Sequence, residues 1–307
     1  MNKVAPVRNR HQLKNKAQDI GMYMFLVIPA ILLLSFTIFY PVVKSAYTSF
    51  FDQSLLSLGK RTWNDFQNYK DIFTDFFNGE FWHAFLLSNR FAFTVVFVQL
   101  FLSIVLAIVL NENIRGKRVL RSILLMPWVI PTAVTALLWM WLYQPDYGVL
   151  NYILKTLGMK PSLWLGSVDS ALTSIMIVSV WKQLPFTTTM LIAGMQSISP
   201  DFYEASSLDG ASKLQNYYYI TIPFLKNVIK STTLVSIIEN FKMFPLFWIM
   251  TQGGPINSTT TLAVLTYQTS FVSMDLGMGA AIGVLWIIFL VAFSRLFNRV
   301  FKENTLY

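Results

Sequence analysis

The chain has 307 residues, 54% of them hydrophobic and only 13% charged, where a soluble domain of this size carries about a quarter charged residues; a soluble globular protein is therefore excluded in favour of an integral membrane protein. A net charge of +9 raises nucleic acid as a partner, but the basic residues are segregated by segment in the way that orients a membrane protein, so no nucleic acid is expected. With no cysteine and only His11 and His83, a disulfide framework and a thiolate metal site are excluded, and little remains for metal or acid–base chemistry.

Residues 1–19 carry Lys3, Arg8, Arg10, Lys14 and Lys16 against Asp19 and read as a cytoplasmic tail. The apolar stretch 20–49 exceeds the roughly 20 residues that a helix needs to cross the hydrocarbon. No small-residue cleavage site follows it, so it reads as a retained first span, with Pro29 and Pro41 kinking or ending it and Lys44 snorkelling outward. Residues 50–83, with Asp52, Asp65, Asp71, Asp75 and Glu80, read as external. A second span covers 84–110, interrupted by Asn89 and Arg90. Arg115, Lys117, Arg118 and Arg121 crowd the loop 111–122 and place it in the cytoplasm. The third span, 123–143, holds Pro127 and Pro131, whose freed carbonyls must be met by neighbours or by a wet cavity. Residues 144–170 are expected outside as an interfacial helix, and 171–195 form the fourth span, with Lys182, Gln183 and Pro185 near its centre.

The loop 196–223 opens with Ser199 as an N-cap and Pro200 at the first helical position, and Gly210 supplies a left-handed residue for the helix end. A short helix outside the hydrocarbon is predicted, seated through Phe202, Ala205 and Leu208 and presenting Asp201, Glu204 and Asp209. The fifth span, 224–250, carries Glu239, Asn240 and Lys242, and Lys226 and Lys230 in its first turns reach toward cytoplasmic headgroups. Residues 251–275 contain no lysine or arginine and read as external. A sixth span, 276–297, ends in Arg295, Arg299 and Lys302, ahead of a cytoplasmic tail at 303–307. The expected fold is thus an all-α membrane domain of six helices over 20–302, with both termini cytoplasmic. Fifteen of the 24 basic residues fall on the cytoplasmic side, five on external loops and four within spans, which supports this orientation.

Glu204-Ala205, Gly210 six residues after the glutamate, and then Ile220, Ile222 and Pro223 resemble the EAA loop of permease subunits in ATP-binding-cassette importers. Ser206 stands where a second alanine is usual, and Ile222 where leucine is. Phe39-Tyr40-Pro41, Asn68-Tyr69, Pro127-Trp128, Pro145-Asp146-Tyr147-Gly148, Val180-Trp181-Lys182, Gln196-Ser197-Ile198 and Gly253-Gly254-Pro255, in this order, resemble the carbohydrate group of these permeases, which handles oligosaccharides and glycerol-3-phosphate, and in particular the compact form of the maltose-type first permease. The resemblance implies a bacterial cytoplasmic membrane, a second similar permease, two ATPase subunits each receiving one coupling helix, and an extracytoplasmic solute-binding protein. On that picture Glu204 faces a basic partner, Gly210 allows a sharp exit, and Ala205, Ser206, Ser207 and Ala211 let two backbones approach, with Asp209 beside them. No Gly-x-x-x-x-Gly-Lys-Ser/Thr motif is present, so the chain is not expected to be an enzyme by itself, and ATP and Mg belong to the partner ATPase.

Polar groups near a bilayer midplane are costly and usually functional, which makes Lys182, Gln183, Glu239, Asn240 and Lys242 candidates for the substrate path, with Asn89 and Arg90 nearer the outer end. The structural readings of the same residues are a Glu239–Lys242 pair, a snorkelling Arg90 and a Lys182 that holds a neighbouring helix. The surplus of cations suggests an acidic oligosaccharide as the substrate. The alternatives are an ion-coupled secondary transporter, which would show paired broken helices and midplane carboxylates in two copies, and a membrane enzyme, for which no catalytic constellation is visible.

Overall fold

The computed structural model describes residues 10–57, 60–74, 79–112 and 114–301, with side chains described from 22 onward except at Ser57. The expected tails at 1–9 and 302–307, and Asp75, lie outside the described residues. Residues 10–19, within the expected tail, are helical and form the first turns of α1 (Arg10–Leu34). A π turn at Ser35–Phe39 precedes Pro41 and leads into α2 (Tyr40–Thr48). Side chains from Met22 to Lys44 are exposed, so this helix packs little of its apolar surface on the rest of the chain.

A small cap follows. Strands β1 (Phe51–Asp52) and β2 (Thr62–Trp63) pair antiparallel, Phe51 opposite Trp63. Helix α3 (Gln67–Thr74) anchors them: Asn68 Nδ2 donates to the Ser49 and Phe51 carbonyls at 3.0 and 3.1 Å, and the Tyr69 hydroxyl meets Ser49 Oγ at 2.7 Å.

The bundle is built from α4 (Glu80–Asn111), α5 (Lys117–Val129), α6 (Thr132–Leu142), the short helix α7 (Val149–Thr156), α8 (Val168–Gln196), α9 (Pro200–Leu208), α10 (Lys213–Asn216), α11 (Ile222–Phe241), α12 (Pro245–Met250), α13 (Leu262–Tyr267) and α14 (Leu276–Val300). Four stretches are helical, long and apolar enough to cross a membrane: Met22–Thr48, Glu80–Asn111, Val168–Gln196 and Leu276–Val300. They match the expected first, second, fourth and sixth spans.

The expected third and fifth spans are not continuous helices. α5 and α6 meet at 99° across Ile130-Pro131. Ile130 adopts the extended conformation (φ −65°, ψ 130°) imposed on a residue before proline, whereas Pro127 is absorbed within α5. The fifth breaks at Lys242, because Pro245 has no N–H to carry the helical ladder onward. The segment 251–275 is likewise more than an external loop: α13 turns back into the bundle, its Leu262, Val264 and Leu265 are buried, and the Leu262 N–H bonds Ser88 Oγ on α4 at 2.8 Å.

Helix α8 has no single apolar face and is buried at positions around its circumference, which makes it the hub, packing on α4, α5, α6, α11 and α12. One buried cluster, around Phe91, Ile175 and Phe247, joins it to α4 and α12. A second, around Leu191, Met195 and Leu225, joins it to α4 and α11 at the α9 end. The bend at Ile130 is secured from the same hub: Lys182, 8% exposed, donates from Nζ to the Ile130 carbonyl at 2.5 Å. This is one of the carbonyls that the break frees from the ladder.

Two outcomes follow for the thermal stability of the purified chain. Lys182→Met leaves the Ile130 carbonyl unmet and is expected to cost about 1–3 kcal/mol, with Lys182→Arg losing less. Gly277→Ala drives a methyl into the Phe51 carbonyl and is expected to cost about 1–3 kcal/mol, while Gly283→Ala, with its nearest atom 3.8 Å away, leaves the melting temperature unchanged.

Candidate functional site

Helix α9 begins as its sequence dictates. The Ser199 hydroxyl accepts the Asp201 N–H, Pro200 fills the first position, and Gly210 leaves the helix at φ +80° with no neighbour within 4 Å of an added Cβ. Its seat differs from expectation. Ala205 and Leu208 are exposed, Leu208 by 90%, and Phe202, also exposed, makes a tilted ring contact with Phe224, ring centroids 4.9 Å apart. The half-buried positions are Tyr203 and Ser206, three residues apart on the other face. The Tyr203 hydroxyl bonds Thr221 Oγ1 at 3.0 Å, across the loop, and Ser206 Oγ bonds the Tyr203 carbonyl. A hydroxyl partner on the next element, not the apolar repeat, decides which face turns inward. The outward face carries Glu204, Asp209 and Leu208, followed by Ala211, half-buried, and Leu214, 80% exposed. Ile220 is half-buried at the root of α11 and Pro223 is exposed beside it.

Behind α9 lies a polar recess of about 400 Å³ lined by Asn111, Glu112, Tyr203, Lys213, Tyr217 and Thr221 among others. Glu112 Oε1 accepts from Lys213 Nζ and from the Tyr217 hydroxyl, each at 3.2 Å. The hydrogen bond and charge of Lys213, together with the Tyr217 hydroxyl, hold the Glu112 carboxyl below its usual range; burial, and then the Glu112 charge, pushes Tyr217 up. A depressed carboxylate contributes its stabilisation fully above the ordinary carboxylate range and loses it as pH falls through the lowered value, so this contact is intact at neutral pH. It ties the α4–α5 connection to α10, with Arg121 Nη2 also donating to the Leu110 carbonyl at the end of α4 at 2.8 Å.

Deep in the bundle the sequence-selected polar residues come together, but in two different roles. Gln183 and Asn240 exchange amide hydrogen bonds, Gln183 Nε2 to Asn240 Oδ1 at 2.9 Å and Asn240 Nδ2 to Gln183 Oε1 at 3.1 Å, and Ser179 Oγ joins at 3.0 Å. Gln99 extends the network from α4 to Thr187 at 2.5 Å. These contacts knit α4, α8 and α11 together. Glu239 and Lys242 form an exposed i,i+3 ion pair at 2.7 Å.

Beside the network a cavity of about 510 Å³ opens between α5, α6, α8 and α11. Trp128 and Phe186 wall it, their rings 5.9 Å apart and near parallel, and Lys182, Gln183, Ser236 and Glu239 also line it. Asn89 and Arg90 stand elsewhere. Asn89 bonds the Phe85 carbonyl of its own helix; Arg90 lines a separate cavity of about 580 Å³ with His83, Asp169 and Ile256, near the N-terminal ends of α4 and α8. The sequence reasoning missed Gln99, Trp128, Phe186 and Glu112. Gln99, a lone amide within an apolar run, carried the same signal that singled out Asn89; Glu112 carried none, because its partners are about a hundred residues away.

Residues 99–305 match the family described as binding-protein-dependent transport system inner membrane component. The chain is 32% identical to the trehalose/maltose transport system permease protein MalF of Thermococcus litoralis over 289 residues, covering 94% of this chain and 96% of that one. It is 33% identical to the sulfoquinovosyl glycerol transport system permease protein SmoG of Agrobacterium fabrum, covering 93% of each. In fold it is similar, with a TM-score of 0.82 and 18% identity over 96% of this chain and 100% of the other, to a chain of a bacterial ABC transporter involved in the import of the acidic polysaccharide alginate. The bundle, with its apolar helices and its exposed α9, belongs to a membrane permease, and the chain is a member of the binding-protein-dependent transport system inner membrane component family.

Proposed function

We propose that this chain is one of two permease subunits of an ATP-driven oligosaccharide importer in a bacterial cytoplasmic membrane, with α9 as the coupling helix of the loop 196–223. The observation that carries the reading is an exposed, capped helix whose outward face joins Glu204 to a bare Leu208 and ends in Gly210, at the spacing of the EAA loop. A leucine 90% exposed on an element so well ordered by its caps is suited to burial in a partner's cleft. Two ATPase subunits, carrying ATP and Mg, would each receive one such helix, and a solute-binding protein would deliver the sugar to the outer cap. The α9 end is then cytoplasmic, in keeping with Arg115, Lys117, Arg118 and Arg121 nearby. In this arrangement the six expected spans are the four continuous helices and two broken ones, α5 with α6 and α11 with α12, and the exposed α1 offers a surface to the second permease.

The cavity beside Trp128 and Phe186 is the substrate path on this reading. Aromatic faces stack on sugar rings, and Gln183, Ser236 and Glu239 supply hydrogen-bonding groups for hydroxyls. The acidic saccharide suggested by counting cations meets fewer of them than the count implies. Lys182 is committed to the Ile130 carbonyl, Lys242 is paired with Glu239, and the charge lining the cavity includes the Glu239 carboxylate. A neutral oligosaccharide fits this balance better.

Reconstitution with the neighbouring permease, ATPase and binding protein, assayed for ligand-stimulated ATP hydrolysis, tests the reading. Neutral oligosaccharides are expected to stimulate and uronic ones not; stimulation by uronic saccharides alone would reverse the assignment. Glu204→Lys is expected to reduce ATPase association and stimulated hydrolysis at least about tenfold, since loss of one paired interfacial charge costs about 2–5 kcal/mol. The recess behind α9 gives a further outcome. In this cysteine-free chain, Glu112→Cys and Lys213→Cys joined by a short bifunctional thiol reagent are expected to preserve coupling, because the two loops move as one body; loss of stimulated hydrolysis on joining would show that they must separate.

A further inference from the structure

Thr132, Thr135, Ala136 and Trp139 follow one another at i, i+3, i+4 and i+7 and so share one face of α6. Thr132 lines the cavity walled by Trp128 and Phe186. Farther along the same face, Thr135 Oγ1 and Trp139 Nε1 are shielded from water and have no hydrogen-bond partner among the described residues. Thr188, Thr189, Thr232 and Thr266 each donate to the carbonyl four residues back in their own helices; Thr135, 1% exposed, does not take that outlet. The Trp139 ring lies 5.5 Å from that of Trp181 and 5.4 Å from that of Tyr143, which fixes the direction of its N–H. Helix α6 packs on α12, and the break ahead of α12 holds the complementary groups. Pro245 has no N–H for the Phe241 carbonyl, and among the described residues the Lys242 and Met243 carbonyls accept no hydrogen bond. Met243 lines the same cavity as Thr132 and packs on the same apolar cluster as Trp139.

We propose that the seam between α6 and this break is a further sugar subsite, in which Thr135 and Trp139 donate to sugar oxygens and the Lys242 and Met243 carbonyls accept from sugar hydroxyls. The mixture of groups selects the occupant. A cation would meet the indole N–H and an anion would meet the carbonyls, whereas a hydroxyl both accepts and donates. The seam is closed in this structure. It opens as α6 swings about the 99° bend at Ile130-Pro131, so the subsite forms around a sugar already held beside Trp128 and Phe186. The proposal rests on the reading of that cavity as the sugar path.

The importer reconstituted in liposomes tests it, with a neutral oligosaccharide that stimulates its ATP hydrolysis and the singly deoxygenated analogues of that sugar as probes. Trp139→Phe and Thr135→Val keep the shape and remove the donor, and each is expected to lower uptake about fivefold, the worth of one hydrogen bond. For each variant one deoxy analogue is expected to be taken up as well as by the parent, because the hydroxyl that met the missing donor is itself missing. Trp141→Phe, the same change on the opposite, exposed face of α6, is expected to leave uptake unchanged. The melting temperatures of the two donor variants are expected to hold or rise, since no bond of the sugar-free protein is lost. Lower melting temperatures with equal losses for every analogue would point to a bound water in place of a sugar and overturn the proposal, as would undiminished uptake by both variants. A parent that no neutral oligosaccharide stimulates would overturn the sugar path and the subsite together, whereas a stimulated parent with undiminished variants removes the subsite alone.

Discussion

The constraint on which this structure depends is that a backbone carbonyl within the hydrocarbon must find a donor inside the protein. An unbroken helix meets it by its own ladder; α4 and α14 do so over their full lengths, and α8 does so except at Pro185, which has no N–H for the Trp181 carbonyl. The two expected spans that contain a helix-breaking proline, at Pro131 and Pro245, lean on neighbours instead. At the first break Lys182 of α8 reaches the Ile130 carbonyl, and close to the second the Gln183–Asn240 amide pair fastens the end of α11 to the same helix. Adjacent residues of the hub thus secure both interruptions, and the cavity walled by Trp128 and Phe186 lies between them. The polar residues that make the cavity possible are spent largely on holding its walls.

The same hub links the cavity to α9. Helix α8 runs directly into Ser199, and the cluster of Leu191, Met195 and Leu225 fixes its end against α4 and α11. Gly194 permits this approach, since a Cβ there would lie 2.6 Å from Leu225 Cδ2. Glu112, Lys213 and Tyr217 close the circuit from the far end of α4. These contacts connect α9 to α4, α8 and α11, and these helices bear the hydrogen-bond network beside the cavity. Under the proposed function this is the mechanical path from the ATPase to the sugar.

How much of this is legible in the sequence differs by element. Long apolar runs reveal α4, α8 and α14, and Ser199-Pro200 with Gly210 reveals α9, because these signals are local. Proline spacing marks the third span as special but does not distinguish a kink from a 99° turn, since that depends on whether a donor such as Lys182 is at hand. The seat of α9 is misread from the repeat of Phe202, Ala205 and Leu208, because the Tyr203–Thr221 bond that sets it crosses 18 residues of chain. Lys182, Gln183 and Asn240 stand out in the sequence as polar groups within apolar runs, and the structure buries or half-buries all three, but the sequence does not divide them between ligand contact and helix fastening. For Lys182 the geometry selects the fastening role anticipated beside the ligand one. α13 is missed because its six residues follow a glycine- and threonine-rich turn and resemble loop, although Leu262 is fully buried.

The central claim is that the outward face of α9 is a docking surface for an ATPase. A photoreactive side chain placed at Leu208, and separately at Tyr203, tests it most directly in membranes containing the neighbouring ATPase. The account predicts capture of the ATPase from position 208 and not from the inward position 203. Capture from neither position, or from 203 alone, would contradict it.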